Sequence, residues 1–193
     1  MSTELFTFDG KRKYLSRQEL DAFILAAHTL ERPEVRTLAL VLAHTGCRLS
    51  EALALTAQSI DISQGVIVFQ TLKQREALRY RAVPLPDTTL DALELVHRLR
   101  KTQKSKAKTR PLWAWGRTQA WKHIKAVFDV AGIKGVQASP KGLRHGFAVR
   151  AMETTRNPRL VQKWLGHRSL ETTAIYMDLV GSEERQSAVA MWI

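Results

Sequence analysis

Residues 65–86 read GVIVFQTLKQREALRYRAVPLP, and their apolar pattern differs from that of the rest of the chain. The runs at 65–72 and 78–86 are rich in β-branched and aromatic residues, and the polar segment KQREA separates them. Two such runs on either side of a polar segment are typical of a β-hairpin. A short third strand is predicted beside them at 60–62. The sequence therefore predicts a small antiparallel sheet near the middle of the chain.

Helical patterns lie on both sides of this sheet. Ser16 and Glu19 have the spacing of a capping box, so a helix is predicted just after them, and a second helix covers 35–44. Gly46 ends that second helix, and a short one restarts near Arg48. After the sheet the predicted helices cover 87–100, 117–131, 142–153, 158–165, 169–178 and 182–191. The predicted fold class is α+β, a predominantly helical single domain with a small antiparallel β-sheet.

The charge of the chain points to a polyanionic partner. Its 193 residues include 30 lysines and arginines against 18 acids, which gives a formal net charge of +12. Such an excess costs self-repulsion in a compact fold and favours binding to nucleic acid. No uncharged apolar run approaches the roughly 18 residues that span a membrane. The charge therefore predicts nucleic acid as the partner, and neither a membrane nor a small-molecule substrate is expected.

Disulfide and metal chemistry are not expected. Cys47 is the one cysteine of the sequence, which excludes an internal disulfide and fits a reducing compartment. The six histidines form no HxxxH pair and have no acidic or thiolate neighbours at ligand spacing. The first 20 residues contain no apolar signal-peptide core. We therefore expect a cytoplasmic protein whose chemistry uses side chains alone, with no metal and no cofactor.

The segment RLRKTQKSKAKTR at 98–110 is the most basic part of the chain. Seven of its thirteen residues are basic and none is acidic. We predict a loop here, and two compatible roles are open for it: a solvated mobile loop, or a loop that lies along DNA phosphates. The residues predicted to contact DNA are Arg100, Lys101, Lys104, Lys106 and Lys108, with Arg117 and Lys122 on the next helix.

Two helix starts hold side chains suited to binding a phosphate. Arg48 and Glu51 lie three residues apart, a spacing that is also common for an ordinary surface pair. Because the surroundings are apolar, we expect Glu51 to hold the Arg48 guanidinium towards a cleft. Lys141 and Arg144 lie at the start of another predicted helix, where backbone amides already favour an anion. Both helix starts are candidate phosphate sites.

Three further residues complete a set suited to attack on a phosphodiester. Lys73 enters the predicted hairpin turn, where an exposed lysine is ordinary, while His167 and Tyr176 lie nine residues apart and could both serve packing. Together with the arginines, however, they supply what a metal-free reaction needs. Arginines neutralise the phosphate oxygens, and a tyrosine, whose pKa near 10 makes it a weak nucleophile, attacks once cations stabilise its phenolate.

In this order, the stretches TGCRLSEALAL, TLK before RAVPLP, SPKGLRHGFA and LGHRSLETTAIY resemble the catalytic domain of the tyrosine recombinases, the phage integrase family. The resemblance covers roughly residues 14–180. It implies the tyrosine-recombinase catalytic fold and site-specific cutting and rejoining of DNA through a covalent 3′-phosphotyrosine, as in integration, excision or inversion. It also implies action as a tetramer on DNA.

The resemblance implies a role for each matching residue. Arg48 and Arg144 would bind the non-bridging oxygens of the scissile phosphate, and Glu51 would orient Arg48. His167 would hydrogen-bond the phosphate, and Tyr176 would attack it.

Three other positions, Lys73, His145 and Lys141, would act around the phosphate or depart from the family pattern. By the same resemblance, Lys73 would protonate the departing 5′ oxygen, and His145 is expected to pack against its neighbours or orient them. Lys141 departs from the family, which usually has a histidine at that position. An ordinary lysine is protonated at neutral pH, so we expect Lys141 to act as a third cation and not as the base that takes the tyrosine proton. A depressed pKa that frees its amine is the alternative.

The extent of the chain is a further departure from the family. Most members carry a helical core-binding domain before the catalytic one, whereas the pattern here begins by Tyr14. We expect one catalytic domain over 1–193 with its core at 14–180, either as a catalytic-only recombinase like the fimbrial-switch invertases or as a fragment. Residues 181–193 are expected to form a tail that docks on its own domain or, by the resemblance, on a neighbouring protomer.

Two other functions are alternatives to recombination. A type IB topoisomerase uses the same chemistry to relax supercoils, but the LGH and RHGFA motifs favour a recombinase. A DNA-binding accessory protein of the same fold would need the basic charge, but it would not need Tyr176 in register with His167.

Overall fold

The computed structural model describes residues 5–70 and 80–177, which contain nine α-helices and one three-stranded antiparallel sheet. The helices are α1 (Arg17–Thr29), α2 (Pro33–Thr45), α3 (Leu49–Leu53), α4 (Asp87–His97), α5 (Leu99–Gln103), α6 (Arg117–Val130), α7 (Pro140–Thr155), α8 (Pro158–Leu165) and α9 (Glu171–Ala174). The strands are β1 (Ile60–Asp61), β2 (Val66–Gln70) and β3 (Tyr80–Pro84), and short 3-10 turns cover Ala57–Ser59 and Lys106–Thr109. The predicted fold class, mainly helical α+β with a small antiparallel sheet, is confirmed.

The sheet follows the alternation of its sequence. β2 lies between β1 and β3, and its register with β3 places Ile67 opposite Val83 and Phe69 opposite Arg81. All four side chains are buried, so this face of the hairpin points into the protein. Arg81 thus stands where strand alternation ordinarily places an apolar residue. The turn of the hairpin lies outside the described residues, and so does Lys73.

Helix α2 is the centre of the larger hydrophobic cluster. Nine of its thirteen residues are buried, and it packs against α1, α4, α6 and α7. A helix that is apolar on nearly every side has to lie between other elements. Its buried hydroxyls are satisfied within the helix, since Thr37 donates to the carbonyl of Glu34 and Thr45 to that of Val41. α2 ends at Gly46, whose φ of 59° turns the chain towards α3.

A smaller hydrophobic cluster lies under α7 and α8. It contains Leu5, Met152, Val161, Leu165 and Tyr176. Helix α7 joins the two clusters, because it packs on α2 with one side and on α8 with another. The tyrosine that the sequence offers as a nucleophile is therefore part of a packed interior.

The predicted helix at 87–100 is wrong in its length. α4 ends at His97 and α5 begins at Leu99, with Arg98 between them at a φ of 49°. In a continuous helix Leu99 would lie about 240° round the axis from Leu93, which faces the core. The break turns Leu99 back to the interior, where it is fully buried.

The basic segment 98–110 is not a loop, which corrects a second prediction. It contains α5 and the 3-10 turn at Lys106–Thr109. The Gln103 amide donates to the carbonyls of Ala57 and Ile60 at 2.9 and 2.8 Å, and these bonds attach the segment to the start of the sheet. Its exposed basic side chains include Arg100, Lys101, Lys104, Lys106 and Lys108.

The last predicted helices have mixed outcomes. The prediction at 169–178 is too long, because only Glu171–Ala174 is helical. The backbone N–H of Tyr176 bonds the carbonyl of Thr173 only three residues back, which tightens the chain and turns the tyrosine ring inward. The predicted helix at 182–191 lies outside the described residues. The other helices predicted from the sequence are confirmed to within about two residues.

Two findings bear on the environment of the chain. Across residues 5–70 and 80–177, no helix has both the length and the apolar character needed to cross a membrane. Cys47 is a buried free thiol, and burial raises its pKa to about 12, so it is protonated at neutral pH.

The turn at Gly46 generates the first testable prediction. A Cβ at this position would overlap the ring of Phe147 and lie 3.1 Å from Leu165, and the φ of 59° disfavours any L side chain. Gly46→Ala should therefore lower the free energy of unfolding by about 2–5 kcal/mol, from left-handed strain and overpacking together. Gly132→Ala is the matched control, because its φ of 69° is similar but its Cβ would meet open space. Urea unfolding should show a clearly smaller loss for the control, and equal losses would contradict the overlap.

Candidate active site

Four parts of the chain meet at one place: the start of α3, strand β3, helix α7 and the segment that follows α8. Helix α8 contacts β3, α7 and α9. Helices α2 and α8 both end in left-handed glycines, Gly46 and Gly166, and the turns made there lead directly into Arg48 and His167. Six residues predicted for the site are brought together here: Arg48, Glu51, Arg144, His145, His167 and Tyr176.

Glu51 is buried between two arginines. Its carboxylate accepts from Arg48 Nη1 at 3.1 Å and from the Arg48 backbone N–H at 2.8 Å. Arg81 of β3 donates to the same carboxylate, from Nη1 to Oε1 at 3.3 Å and from Nη2 to Oε2 at 2.8 Å. The Glu51 side chain is 3% exposed and that of Arg81 is 5% exposed, whereas Arg48 is 44% exposed. Glu51 thus joins a buried arginine to one that faces the cleft.

Arg81 was missed by the sequence analysis. Its Nε donates to the carbonyl of Trp164 at 2.8 Å, and its guanidinium lies 4.7 Å from the centre of the Phe69 ring. A Cβ on Gly166 would lie 3.0 Å from Arg81 Nη1, so the turn after α8 packs directly on the guanidinium. The signal was present in the alternation of β3, where Arg81 falls on the inward face. A buried arginine at such a position requires a carboxylate partner.

The two arginines determine the ionisation of Glu51. Burial alone would raise the pKa of its carboxyl, but the hydrogen bonds and charge of Arg81, with the contribution of Arg48, hold that pKa below its ordinary value. Glu51 is therefore a carboxylate at neutral pH.

Arg144 is held by the ends of two helices. Its side chain lies in the interior, where Nη1 donates to the carbonyl of Gly46 at 2.7 Å and Nη2 to that of Leu165 at 2.8 Å. Burial, and then the charge of Arg48, lowers its pKa to about 10, so it remains a cation at neutral pH. Each terminal nitrogen carries two hydrogens, so each still has one available for an anion.

His167 lies beside the tyrosine. Its Nδ1 is 3.0 Å from Thr173 Oγ1, and its ring is nearly parallel to that of Tyr176, with centroids 6.3 Å apart. Burial lowers the pKa of His167 to about 3, with further contributions from Arg144 and Arg48. The imidazole is therefore neutral at neutral pH.

The phenol of Tyr176 bonds a different histidine. Tyr176 is 1% exposed, and its Oη lies 2.8 Å from Nδ1 of His145, which is 6% exposed. Burial lowers the pKa of His145 to about 4, and the charges of Lys141 and Arg144 lower it further in the same direction. The two side chains form a buried hydrogen-bonded pair directly behind Arg144.

The remaining predicted residues lie outside this cluster or outside the described part of the chain. Lys141 is exposed on the first turn of α7, close enough for its charge to act on His145. Lys73 belongs to a segment outside the described residues. Arg117 and Lys122 are exposed on α6. Six of the seven residues predicted to contact DNA thus lie on α5, the 3-10 turn after it and α6, and the seventh, Lys104, caps the C-terminus of α5.

The arrangement is suited to binding a phosphate anion. Arg48 and Arg81 bond the one carboxylate of the site, and Arg144 lies near enough to feel its charge, so the site keeps an excess of positive charge. Among residues 5–70 and 80–177, no group of three or more histidine, cysteine, aspartate or glutamate side chains is placed to hold a metal ion. A phosphate bound here would be stabilised by arginine N–H groups beside a tyrosine hydroxyl.

The chain is similar to a known protein family and to individual known proteins. The family described as "Phage integrase family" matches residues 13–182. Tyrosine recombinase XerD of Vibrio vulnificus (strain YJ016) is 28% identical over 183 residues, an alignment that covers 90% of this chain and 59% of XerD. The chain thus spans less than two thirds of that relative.

Solved structures share the fold. The crystal structure of XerA recombinase superposes with a TM-score of 0.73 at 27% identity, covering 92% of this chain and 64% of XerA. The catalytic domain of bacteriophage HP1 integrase superposes with a TM-score of 0.67 at 21% identity, covering 92% of this chain and 94% of that domain. The second likeness shows the fold alone, and it matches nearly the whole of a catalytic domain.

The buried pair of Glu51 and Arg81 generates the second prediction. Arg81→Met should lower the free energy of unfolding at pH 7.5 by about 3–5 kcal/mol, because Glu51 keeps only the half-exposed Arg48 as a partner. In the wild type, the lowered pKa of Glu51 contributes stability above its unfolded pKa, and this is lost as pH falls. Without Arg81 the pKa of Glu51 should rise, so the deficit should shrink as pH falls from 7.5 to 5.

Urea unfolding at the two pH values measures this effect. Arg150→Met is the control, because Arg150 pairs with Asp21 on the surface, where the side chains are 38% and 53% exposed. The control should lose no more than about 1 kcal/mol at either pH. A deficit for Arg81→Met that is the same at both pH values would contradict the account of Glu51.

Proposed function

The chain belongs to the phage integrase family, and on that premise we propose that it is a site-specific DNA recombinase that cuts and rejoins strands through a covalent 3′-phosphotyrosine. The observation that carries the proposal is the convergence of Tyr176 with Arg48, Arg144 and His167, which come from separate parts of the sequence. A DNA-binding accessory protein needs positive charge, but it has no use for a tyrosine set between two histidines beside arginines. XerD and XerA, to which the chain is similar, are recombinases by name.

Arg48, Arg144 and His167 form the phosphate site in this proposal. Arg48 is partly exposed and oriented by Glu51, and Arg144 has N–H groups left over from its two carbonyl bonds. If the Thr173 hydroxyl donates to His167 Nδ1, the neutral ring carries its hydrogen on Nε2, which can then donate to a phosphate oxygen. The three groups would bind the non-bridging oxygens and stabilise the charge that grows on them during attack.

Tyr176 is the nucleophile in the proposed reaction. Its Oη forms a bond to the scissile phosphorus while the bond from phosphorus to the 5′ oxygen breaks, and the departing oxygen takes a proton. Lys73 is proposed as the donor of that proton, a role that rests on the family resemblance. Lys141 is proposed to stay an ammonium and to act as a third cation near the phosphate, in place of the histidine usual in the family.

The DNA interface, the oligomeric assembly and the cellular compartment are also proposals that rest on the family resemblance. Double-stranded DNA would lie across the exposed lysines and arginines of α5, the 3-10 turn after it and α6. The recombinase would act with other protomers as a tetramer on DNA, with one catalytic domain whose core is residues 14–180 and a tail at 181–193 exchanged between protomers. A reducing cytoplasm suits the buried free thiol of Cys47.

The central prediction concerns the covalent link to DNA. Purified protein is incubated with nicked duplexes whose recognition sequence is randomised, and the nick lets the cleaved end diffuse away. Wild type should yield a protein–DNA band that survives denaturation and carries a 3′-phosphate on Tyr176. Tyr176→Phe should yield no band, and Tyr14→Phe should yield the wild-type amount, because Tyr14 lies outside the site.

The result discriminates between the functions weighed above. A covalent band from Tyr176→Phe would remove this residue as the nucleophile, and absence of a band from wild type across the library would favour a non-catalytic DNA-binding protein. Sequencing the captured duplexes gives a further test, because a recombinase should select a defined sequence whereas a relaxing topoisomerase should not.

Binding to DNA should depend steeply on salt. Each phosphate neutralised contributes about 0.9 to the slope of log K against log salt concentration, so six or more contacts give a slope steeper than about −5. Replacing Lys101, Lys104, Lys106 and Lys108 together by Gln should reduce the slope by up to about 3.6. Lys11→Gln is the control, since Lys11 is already paired with Asp9 at 2.7 Å. A slope unchanged in the quadruple variant would exclude these lysines from the DNA interface.

A further inference from the structure

The phenolic oxygen of Tyr176, the atom proposed to attack the phosphate, is in contact with His145. Nδ1 of His145 lies 2.8 Å from the phenolic oxygen of Tyr176. Both side chains are more than nine-tenths buried. The other ring nitrogen of His145, Nε2, is also buried and has no hydrogen-bond partner among the described residues. Buried polar atoms are ordinarily hydrogen-bonded, so the unpartnered Nε2 marks His145 as a residue whose position packing alone does not explain.

The neighbouring groups are poorly suited to take the tyrosine proton. Nδ1 of His167 is engaged with Thr173, and the proposed reaction uses the hydrogen on its Nε2 to bind a phosphate oxygen. Arg48 and Arg144 carry only donors and cannot accept a proton. Lys141 is exposed on the first turn of α7. His145 is the basic side chain that the structure places at the phenol.

We propose that His145 accepts the proton of Tyr176 as the phenol attacks the scissile phosphate. The inference rests on the proposed function and adds a catalytic residue to it. The Oη–H bond of Tyr176 breaks and its proton passes to Nδ1 of His145, while Oη bonds phosphorus and the 5′ oxygen leaves with a proton from the general acid. In rejoining, the 5′ hydroxyl attacks the phosphotyrosine, and His145 returns the proton to the departing phenolate.

The environment of His145 suits a transfer in both directions. Burial lowers the pKa of His145 to about 4, which keeps the imidazole neutral. In the tautomer that carries its hydrogen on Nε2, the lone pair of Nδ1 accepts the hydrogen bond of the phenol. A weak base suffices, because the phenol becomes strongly acidic as its oxygen bonds phosphorus. Lys141, Arg144 and Lys13 all act on His145 in the sense that disfavours its charged form. The same cations therefore drive the proton back when the phenolate is released.

The chain offers a matched control for this histidine. Nδ1 of His44, on α2, lies 2.9 Å from the hydroxyl of Thr89, on α4. Both residues are distant in sequence from Tyr176. Burial lowers the pKa of His44 to about 4, as for His145. Asparagine places an amide atom where histidine has Nδ1, so it can keep a hydrogen bond to a hydroxyl but cannot take a proton. His145→Asn and His44→Asn thus remove the same chemistry from two similar buried bonds.

The experiment measures the single-turnover rate of covalent capture on the selected nicked duplex. His145→Asn should slow capture by about 100-fold or more, the usual range for loss of a general base. His44→Asn should stay within about threefold of wild type, well below such an effect. Site-specific 2-fluorohistidine at position 145 keeps the ring shape with much lower basicity, and it should be slow as well. This second variant decides the matter should the asparagine variant not fold.

A further readout separates proton transfer from positioning. Placing 3,5-difluorotyrosine at position 176 lowers the pKa of the nucleophile, so the reaction needs less help from a base. It should restore most of the lost rate in His145→Asn or in the 2-fluorohistidine protein. Capture by 2-fluorohistidine protein at the wild-type rate, or slow capture that difluorotyrosine does not restore, would overturn the proposal. Absence of capture by the wild type would instead refute the recombinase function itself.

Discussion

The carboxylate of Glu51 is the constraint on which the arrangement of the site depends. It is buried and ionised, so it requires cations on both sides, and the sequence supplies Arg48 from its own helix and Arg81 from the sheet. Because Arg81 also bonds the end of α8 through the Trp164 carbonyl, one charged group fixes the distance between α3, β3 and α8. Removing either partner of a buried pair leaves an uncompensated charge, so these elements cannot separate without a large cost in free energy.

Helix endings supply the second part of the site. α2 and α8 both stop at a left-handed glycine, and such a stop leaves carbonyl groups at the helix end without helical partners. Arg144 takes one carbonyl from each ending, at Gly46 and at Leu165. The partial negative charge of a helix C-terminus favours a cation there. A glycine chosen for backbone geometry thus also determines where a guanidinium lies, and the two endings together orient it.

Much of this architecture could be predicted from the sequence, and the wrong or missing predictions have identifiable physical causes. The hairpin, the cap at Ser16 and the stop at Gly46 are local signals, and the structure agrees with all three. The break at Arg98 was not predictable from helical propensity, because it serves the burial of Leu99 against distant elements. The inward position of Arg81 could have been read from strand alternation, but its partner Glu51 could not, because the two are distant in sequence. The bond between His145 and Tyr176 was missed because its partners are also distant in sequence.

The burial of Tyr176 has a consequence for fidelity. Its phenol is 1% exposed and packed in a cluster with Leu5 and Leu165, so an arbitrary phosphate in solution cannot reach it. For the proposed reaction, the work of opening this packing so that a phosphate reaches the phenol beside His145 becomes part of the barrier to cutting any DNA, and it has to be offset by binding free energy. Only a duplex that makes enough favourable contacts can do so, which is the logic of induced fit. The packed interior would then act as a discriminator between a true target and the much larger number of wrong sequences in a genome.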